Sequence, residues 1–565
     1  MNYNQEKQFD VIILGSGLGG SILATILARH DVRVLMIDKE VHPRFAIGEA
    51  TTPDMDLMMV ILSYMYSVPE IAHLSSFDNI CNNISPSACG IKRSFNFVYH
   101  RDMKEQTLEE SNKIGVRDSS HFFRPDIDHY MAKVAIKYGI KLLENTKVVD
   151  INIDSTKVEI TIEGGEKFTA NFLVDGSGYN SLLSQKFNLR ENPTRLKTHS
   201  RSVFTHMEQV KRYDDCVPAS IANQGGETDE ILWYEGTLHH IFDGGWMWVI
   251  PFNNHAESKN PICSVGLNFN LKRFPKTDIS PEQEFQDFLS KYPSIAVQFE
   301  DAKPTRKWVS TGRLQYSSHS CMGNRFYLLP HATGFIDPLF SFGLANTCTV
   351  LIPLASRLLT AISKNDYSTA NFAPVERLQQ KLLDYNDRIV NGSYISFTNF
   401  NLWNVWRRVW LLGTFTKLSK IILSVIKCEK LTALNEDENF IGLTYGYEGL
   451  SDTFFKNAFA TIEKVEEGSL SPEDAANQLL ALINSIDFLP TNFMAFGDAS
   501  HINASMISEF AVSERKRFFS WIKTSTKPEV RNYLDYEIED FVSAADIAEK
   551  FIRGIYSKEF IPATW

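Results

Sequence analysis

The sequence is poor in cysteine, has no surplus of positive charge and contains no long apolar run. Its seven cysteines, Cys81, Cys89, Cys216, Cys263, Cys321, Cys348 and Cys428, are odd in number, and no two sit at CxxC spacing. A zinc ribbon, a thioredoxin-type redox pair and a disulfide framework therefore lose support. Lys and Arg number 57 against 68 Asp and Glu, a formal charge of −11. That sign argues against electrostatic nucleic-acid binding. No segment reaches the roughly 18 uncharged apolar residues of a spanning helix. The polar stretch Met1–Asp10 lacks the order of a signal peptide. The expectation is a soluble cytoplasmic protein without membrane contact. Internal repeats and low-complexity linkers are absent, and His239-His240 lacks an acidic or cysteine partner at ligand spacing, so no metal site is expected.

The rest of the composition is ordinary for a globular chain: 565 residues, 44% hydrophobic and 22% charged. At roughly 150 residues per domain, two to four domains fit. The 39 Phe, 20 Tyr and 9 Trp suit a planar ligand or a large core. The first fifty residues read as strand, glycine loop, helix, strand. Val11–Leu14 and Val32–Ile37 are short apolar runs, as in strands buried on both faces. Residues 121–147 read as helical, 148–175 as strand-rich with a Gly164-Gly165 turn, and 200–310 as β-rich. Within the last, Ser202–Glu208, Ile231–Tyr234, Trp246–Pro251 and Ser264–Asn268 are candidate strands, followed by Phe326–Leu329, and a helix is expected over 344–363. The remainder reads as mostly helical.

Gly15-Ser-Gly17-Leu18-Gly19-Gly20 satisfies GxGxxG between the first strand and its helix. Gly15 permits the tight turn, Gly17 lets backbone approach a pyrophosphate, and Gly20 lets helix pack on strand. The helix N-terminus favours the anion, and Asp38, closing the second strand, is placed to accept from ribose hydroxyls. Arg44-Phe-Ala-Ile-Gly48-Glu49 resembles the segment after the second strand in FAD enzymes of the p-hydroxybenzoate-hydroxylase type. Phe172-Leu-Val-Asp175-Gly-Ser-Gly resembles their later flavin-domain strand and turn. With a single GxGxxG and no separate nicotinamide domain, electrons are expected from a separate flavin reductase or from transient nicotinamide docking.

Two further motifs are Gly245-Trp246-Met-Trp248-Val-Ile-Pro251 and Phe335-Ile-Asp-Pro338-Leu-Phe340-Ser341-Phe342-Gly343. On a strand Trp246 and Trp248 share a face. In this order the three motifs resemble the flavin-dependent halogenases, the tryptophan-halogenase superfamily, over roughly residues 8–360. The resemblance implies an α/β FAD-binding fold over residues 1–200 and 300–365, an inserted β-rich sheet on the substrate side over 200–300, and a helical C-terminal region over 366–565. It also implies a reaction. Reduced FAD, O2 and halide, chloride or bromide, yield hypohalous acid, which passes down a tunnel to a lysine beside an aromatic substrate, free or carrier-bound. Lys92 in Gly90-Ile-Lys92-Arg93-Ser-Phe95 is the lysine candidate, with an ordinary packed lysine as the other reading. Phe342 and Gly343, with Ser341, would hold the halide in a nest of N–H groups. Trp246 and Trp248 would line the passage. Gly15, Gly17, Leu18, Gly20, Asp38, Arg44, Gly48, Glu49, Arg124, Asp175, Phe335 and Pro338 are the expected cofactor contacts.

The sequence also departs from the family pattern. Phe340 stands where members acting on free tryptophan carry Glu, which directs the expectation to phenolic or pyrrolic rings. Pro330-His331-Ala332 replaces the usual Gly-Asp-Ala, whose Asp contacts the flavin; Gly497-Asp498-Ala499 reads as coincidence. An FAD monooxygenase or oxidase without halogen transfer is the alternative, and a non-catalytic flavin-binding protein a further one. Trp403, Trp406 and Trp410, spaced i, i+3 and i+7, form one helical face. It either packs on the main domain or borders a substrate mouth or a membrane surface.

Overall fold

The computed structural model describes residues 7–84, 88–222, 231–427 and 451–488. Two sheets dominate it, because two kinds of strand are present: runs buried on both faces and strands with one face for each of two cores. The first kind is β1 (Val11–Leu14) and β2 (Val34–Ile37), joined by α1 (Leu18–Arg29). They pair in parallel, Val11 opposite Val34. Phe172–Asp175 joins β1 on its other side, also in parallel. The full sheet has six strands; Phe326–Leu328 pairs with Phe172–Asp175 and Lys141–Leu143 with β2. Every residue of β1 and β2 is buried, as a doubly covered parallel sheet requires.

The second sheet has eight strands. Its centre is β3 (Gly90–His100), β4 (Ser111–His121), β5 (Ser200–Glu208), β6 (Gly236–Phe242), β7 (Gly245–Pro251) and β8 (Cys263–Asn270). Alternation sorts its side chains between two cores. Phe95, Phe97, Ile241, Trp246 and Trp248 belong to the core shared with the six-stranded sheet. Val98, Leu238, Met247, Val249 and Leu267 belong to a second core on the outer face. The β3–β4 hairpin thus belongs to the eight-stranded sheet, although its sequence position lies inside the 1–200 segment.

Helices cover the junction: α2 (Pro53–Met65), α3 (Arg124–Lys137), α4 (Phe342–Lys364), α5 (Thr369–Ser396) and α6 (Phe400–Lys427). By length and composition α4 could cross a membrane, yet most of its apolar stretch is buried within the protein. It is a core helix.

Two local expectations are corrected. The helix expected over 121–147 is α3 alone: it stops at Tyr138, and Gly139 at φ +99° redirects the chain into the strand Lys141–Leu143. The strand expected at Ile231–Tyr234 begins instead at Gly236, because Trp233–Glu235 forms a 3-10 turn. That turn is tied down by the Asp214 carboxylate, which accepts from the N–H groups of Trp233 and Tyr234. Gly497-Asp498-Ala499 and Cys428 lie outside the described residues.

Candidate active site

The glycine loop opens onto a cavity of ≈ 610 Å3 at the carboxyl ends of β1, β2 and Phe172–Asp175, where open α/β sheets bind ligands. Each glycine has a distinct job. Gly15 sits at φ +92°, and a Cβ there would lie 2.7 Å from Gly176 O. A Cβ on Gly20 would lie 2.2 Å from Gly15 O. A Cβ on Gly17 would meet nothing nearer than Arg44 Nη2 at 3.9 Å, so the space before it is cavity rather than protein. That is the cradle a pyrophosphate needs, at the N-terminus of a twelve-residue helix.

Seven of the twelve expected cofactor contacts line this cavity: Gly15, Gly17, Leu18, Gly20, Asp38, Arg44 and Arg124. Asp38 accepts from Ser16 N–H and hydroxyl, each at 2.8 Å, from Glu40 N–H at 3.0 Å and from Arg44 Nη2 at 2.8 Å. Burial alone would raise its pKa, but the Arg44 charge and the N–H donors hold it below the usual carboxylate range. Arg124 makes a two-pronged contact with Asp128, at 2.8 and 2.9 Å, and its third nitrogen donates to the Ile47 and Gly48 carbonyls.

The other five do not line it. Gly48, at φ +100°, acts through its carbonyl, which anchors Arg124. Glu49 is 2% exposed and pairs with His206 at 2.8 Å. Asp175 is spent on its own turn, accepting from Ser177, Ser181 and Leu183. Pro338 offers its carbonyl to Ser341 N–H at 3.0 Å. Phe335 borders a smaller neighbouring cavity of ≈ 50 Å3 instead. Sequence reading missed the wall formed by Thr146, Lys147 and Val148 and by Asn180 and Gln185. No motif marks these residues; only the folding of distant segments onto the sheet edge brings them in. His331 lies between the two cavities. Burial, and then the Arg124 charge, push its pKa down to about 4. At neutral pH it is an uncharged imidazole that can donate one hydrogen bond and accept another, where the family pattern has a carboxylate.

Ser341 caps α4 from the left-handed region, φ 58° and ψ 29°. A helix leaves the N–H groups of its first turn without acceptors inside the helix, and Phe342 and Gly343 open that turn. A Cβ on Gly343 would come within 2.8 Å of His331 Nε2, so the residue must stay small.

Lys92 is fully buried within β3. Strict alternation would put Lys92 and Phe95 on opposite faces. The register against β4 shifts between Lys92 and Ser94, where two steps along β3 face four along β4, so the ladder is irregular there. Lys92 Nζ sits 3.5 Å from the Phe95 ring centroid and donates to Thr51 O at 2.7 Å. Burial pulls its pKa down to about 7, against the pull of Asp56 and Asp54.

Lys92 thereby joins an aromatic surface. His239 stacks on Phe97 at 4.7 Å and lies 5.6 Å from Trp246, which lies 5.8 Å from Trp248. Trp246 Nε1 donates to Asp337 at 3.1 Å and Trp248 Nε1 to Ser264 at 3.0 Å. From α6, Trp403 meets Phe97 at 5.6 Å and Trp410 meets Phe95 at 5.7 Å. Trp410 also stacks on Phe340 at 4.3 Å and 15°. The tryptophan face of α6 therefore packs on the main body at the site itself. Among the described residues no His/Cys/Asp/Glu group could hold a metal ion.

The comparisons with known proteins point the same way. A family described as tryptophan halogenase matches residues 94–403. The chain is 40% identical to the monodechloroaminopyrrolnitrin halogenase PrnC of Pseudomonas fluorescens, over 95% of each chain. It is 38% identical to the tetracycline 7-halogenase of Kitasatospora aureofaciens, over 95% of this chain and 97% of that one. The crystal structure of halogenase PltM with phloroglucinol and FAD superposes with a TM-score of 0.82 at 35% identity, covering 87% of this chain and 99% of that one.

Proposed function

This chain belongs to the flavin-dependent halogenases, and from that premise we propose that it halogenates an electron-rich phenolic or pyrrolic ring, free or carrier-tethered. It is an enzyme whose cofactor is FAD. Bound and reduced, FAD supplies the oxygen chemistry that turns halide into an electrophile. The protein's own residues do the rest. The glycine loop, Asp38, Arg44 and Arg124 hold the dinucleotide. The start of α4, at Phe342 and Gly343 beside the cap residue Ser341, holds the halide. Trp246 and Trp248 wall the passage and keep organic substrate from the flavin. Lys92 offers its ammonium to hypohalous acid beside the ring. The substrate is received between the eight-stranded sheet and α6, while the six-stranded sheet serves the cofactor.

The observation that carries the substrate class is Phe340. It is 1% exposed and stacked on Trp410, so this wall offers no carboxylate to a ring that turns positive during attack. A ring halogenated here must carry its own activation, as phenols and pyrroles do. The relatives named for an aminopyrrolnitrin, for tetracycline and for a phloroglucinol complex support that class. A single dinucleotide motif supports a separate flavin reductase as partner. The test is turnover with FAD, a flavin reductase and chloride or bromide on a panel of phenols and pyrroles, read by halogen isotope patterns. Halogenated phenol or pyrrole is expected; hydroxylated products that ignore halide would overturn the proposal.

A further inference from the structure

The charges around Lys92 are unevenly matched, and the mismatch singles out one carboxylate. Two aspartates of α2 influence the lysine, Asp54 and Asp56. Asp54 is already neutralised: Lys417 of α6, itself 0% exposed, donates to it at 2.8 Å. Among the described residues Asp56 has no cation in hydrogen-bonding contact. It is 1% exposed, accepts the Ser119 hydroxyl with help from the Thr51 hydroxyl, and its Oδ1 is buried. Ser119 stands directly opposite Lys92 in the β3–β4 ladder. The serine thus ties the Asp56 carboxylate to the strand position that faces the lysine. His121 of β4 and His239 of β6 also face Lys92, and burial drives both down to about 3, so they are neutral near pH 7. From α4, the Cys348 thiol near the two aspartates is held protonated by burial. Among the described residues that act on Lys92, Asp56 is therefore the carboxylate whose charge no other cation claims at hydrogen-bond distance.

Resting on the assignment of Lys92 as the halogen-delivering residue, we propose that Asp56, aimed by Ser119, is a positioning residue that keeps Lys92 in its ammonium form. The ammonium is the form that the two Lys92 contacts favour: a carbonyl acceptor at Thr51 and the face of the Phe95 ring. It is also the form that can donate to the oxygen of hypohalous acid as that oxygen leaves. Burial presses both members of the pair toward neutrality, Lys92 downward and Asp56 well above the usual carboxylate range. Their mutual attraction opposes both shifts. The sign follows: ammonium-dependent activity is present below the Lys92 pKa and lost as pH rises through it, and removing the Asp56 charge lowers that pKa.

The test is the pH profile of ring halogenation by the FAD-loaded enzyme, beside halogenation of a small trapping reagent in solution. Asp56→Asn keeps the shape and deletes the charge. Its alkaline limb should move down by about one pH unit or more, while trapping-reagent halogenation and FAD affinity stay at wild-type values. Asp56→Glu should restore the wild-type limb. If Asp56→Asn does not fold, Ser119→Ala serves: it removes a hydrogen bond that favours the carboxylate, so the limb should move the same way by less. An unmoved limb in a folded Asp56→Asn or Ser119→Ala enzyme overturns the proposal. Lys92→Met separates the two claims. Ring halogenation surviving in Lys92→Met refutes the lysine assignment itself; its loss, with an unmoved limb in Asp56→Asn, refutes only the role of Asp56.

Discussion

Gly17 and Gly20 are three residues apart in one motif, at the cap and in the first turn of α1, yet the structure predicts opposite failures when a methyl is added to each. At Gly17 the backbone is extended, φ −66° and ψ 174°, which any residue adopts, and the new Cβ touches no protein atom within 3.9 Å. Gly17→Ala should fold with a stability loss of about 1 kcal/mol or less, the cost of a poorer helix cap. The methyl points into the cradle, however, so FAD should bind at least about tenfold more weakly, ~1.4 kcal/mol. At Gly20 the Cβ would lie 2.2 Å from Gly15 O and 3.5 Å from Ile13 Cγ2. The nearest atom is backbone and cannot swing away. Helix α1 must lift from β1, and overpacking of this kind costs about 1–3 kcal/mol or more. Gly20→Ala should therefore melt lower even without cofactor. The assay pairs thermal unfolding of the apoprotein with FAD titration by flavin fluorescence. Wild-type FAD affinity in Gly17→Ala, or a wild-type melting temperature in Gly20→Ala, would refute this account of the loop.

Other outcomes follow from the aromatic surface. Lys92→Met, similar in length but without the amine, should abolish ring halogenation and leave FAD affinity unchanged; regioselective product at the wild-type rate would make Lys92 a packing residue. Trp246→Phe loses the N–H that Asp337 accepts while Ser200, Tyr394 and Leu339 still donate to it. The expected result is a folded enzyme with lower product yield per flavin oxidised, measured as coupling efficiency; unchanged coupling would remove Trp246 from the passage wall. Phe340→Glu should not open activity on free tryptophan, because it buries a carboxylate against Trp410 with no partner. A stability loss of at least about 3 kcal/mol is expected by denaturant titration, and a stable variant would show that the pocket is wetter than its packing indicates.

The dinucleotide fold was legible in the sequence because its determinants are local. Four consecutive apolar residues make a doubly buried strand, a glycine pattern makes the turn, and a helix must follow; hydrophobic periodicity and Cβ sterics act over a few residues. The shared face of Trp246 and Trp248 was legible for the same reason, since strand alternation is local. What lay beyond the sequence depends on register and on distant partners. Lys92 meets the Phe95 ring where the β3–β4 register slips, and nothing in Gly90-Ile-Lys92-Arg93-Ser announces that slip. Glu49 and Asp175 read as cofactor contacts because they sit inside the right motifs, but His206 and the hydroxyls of Ser177 and Ser181 claimed their carboxylates. A motif places a carboxylate near a site; the buried donors around it decide where it points. The division of labour between Asp54 and Asp56 was equally hidden. Two residues apart on one helix, they differ because Lys417, more than three hundred positions away, folds back onto one and not the other. A charge's role in a low-dielectric interior is set by which opposite charge reaches it first, and that is a property of tertiary structure alone.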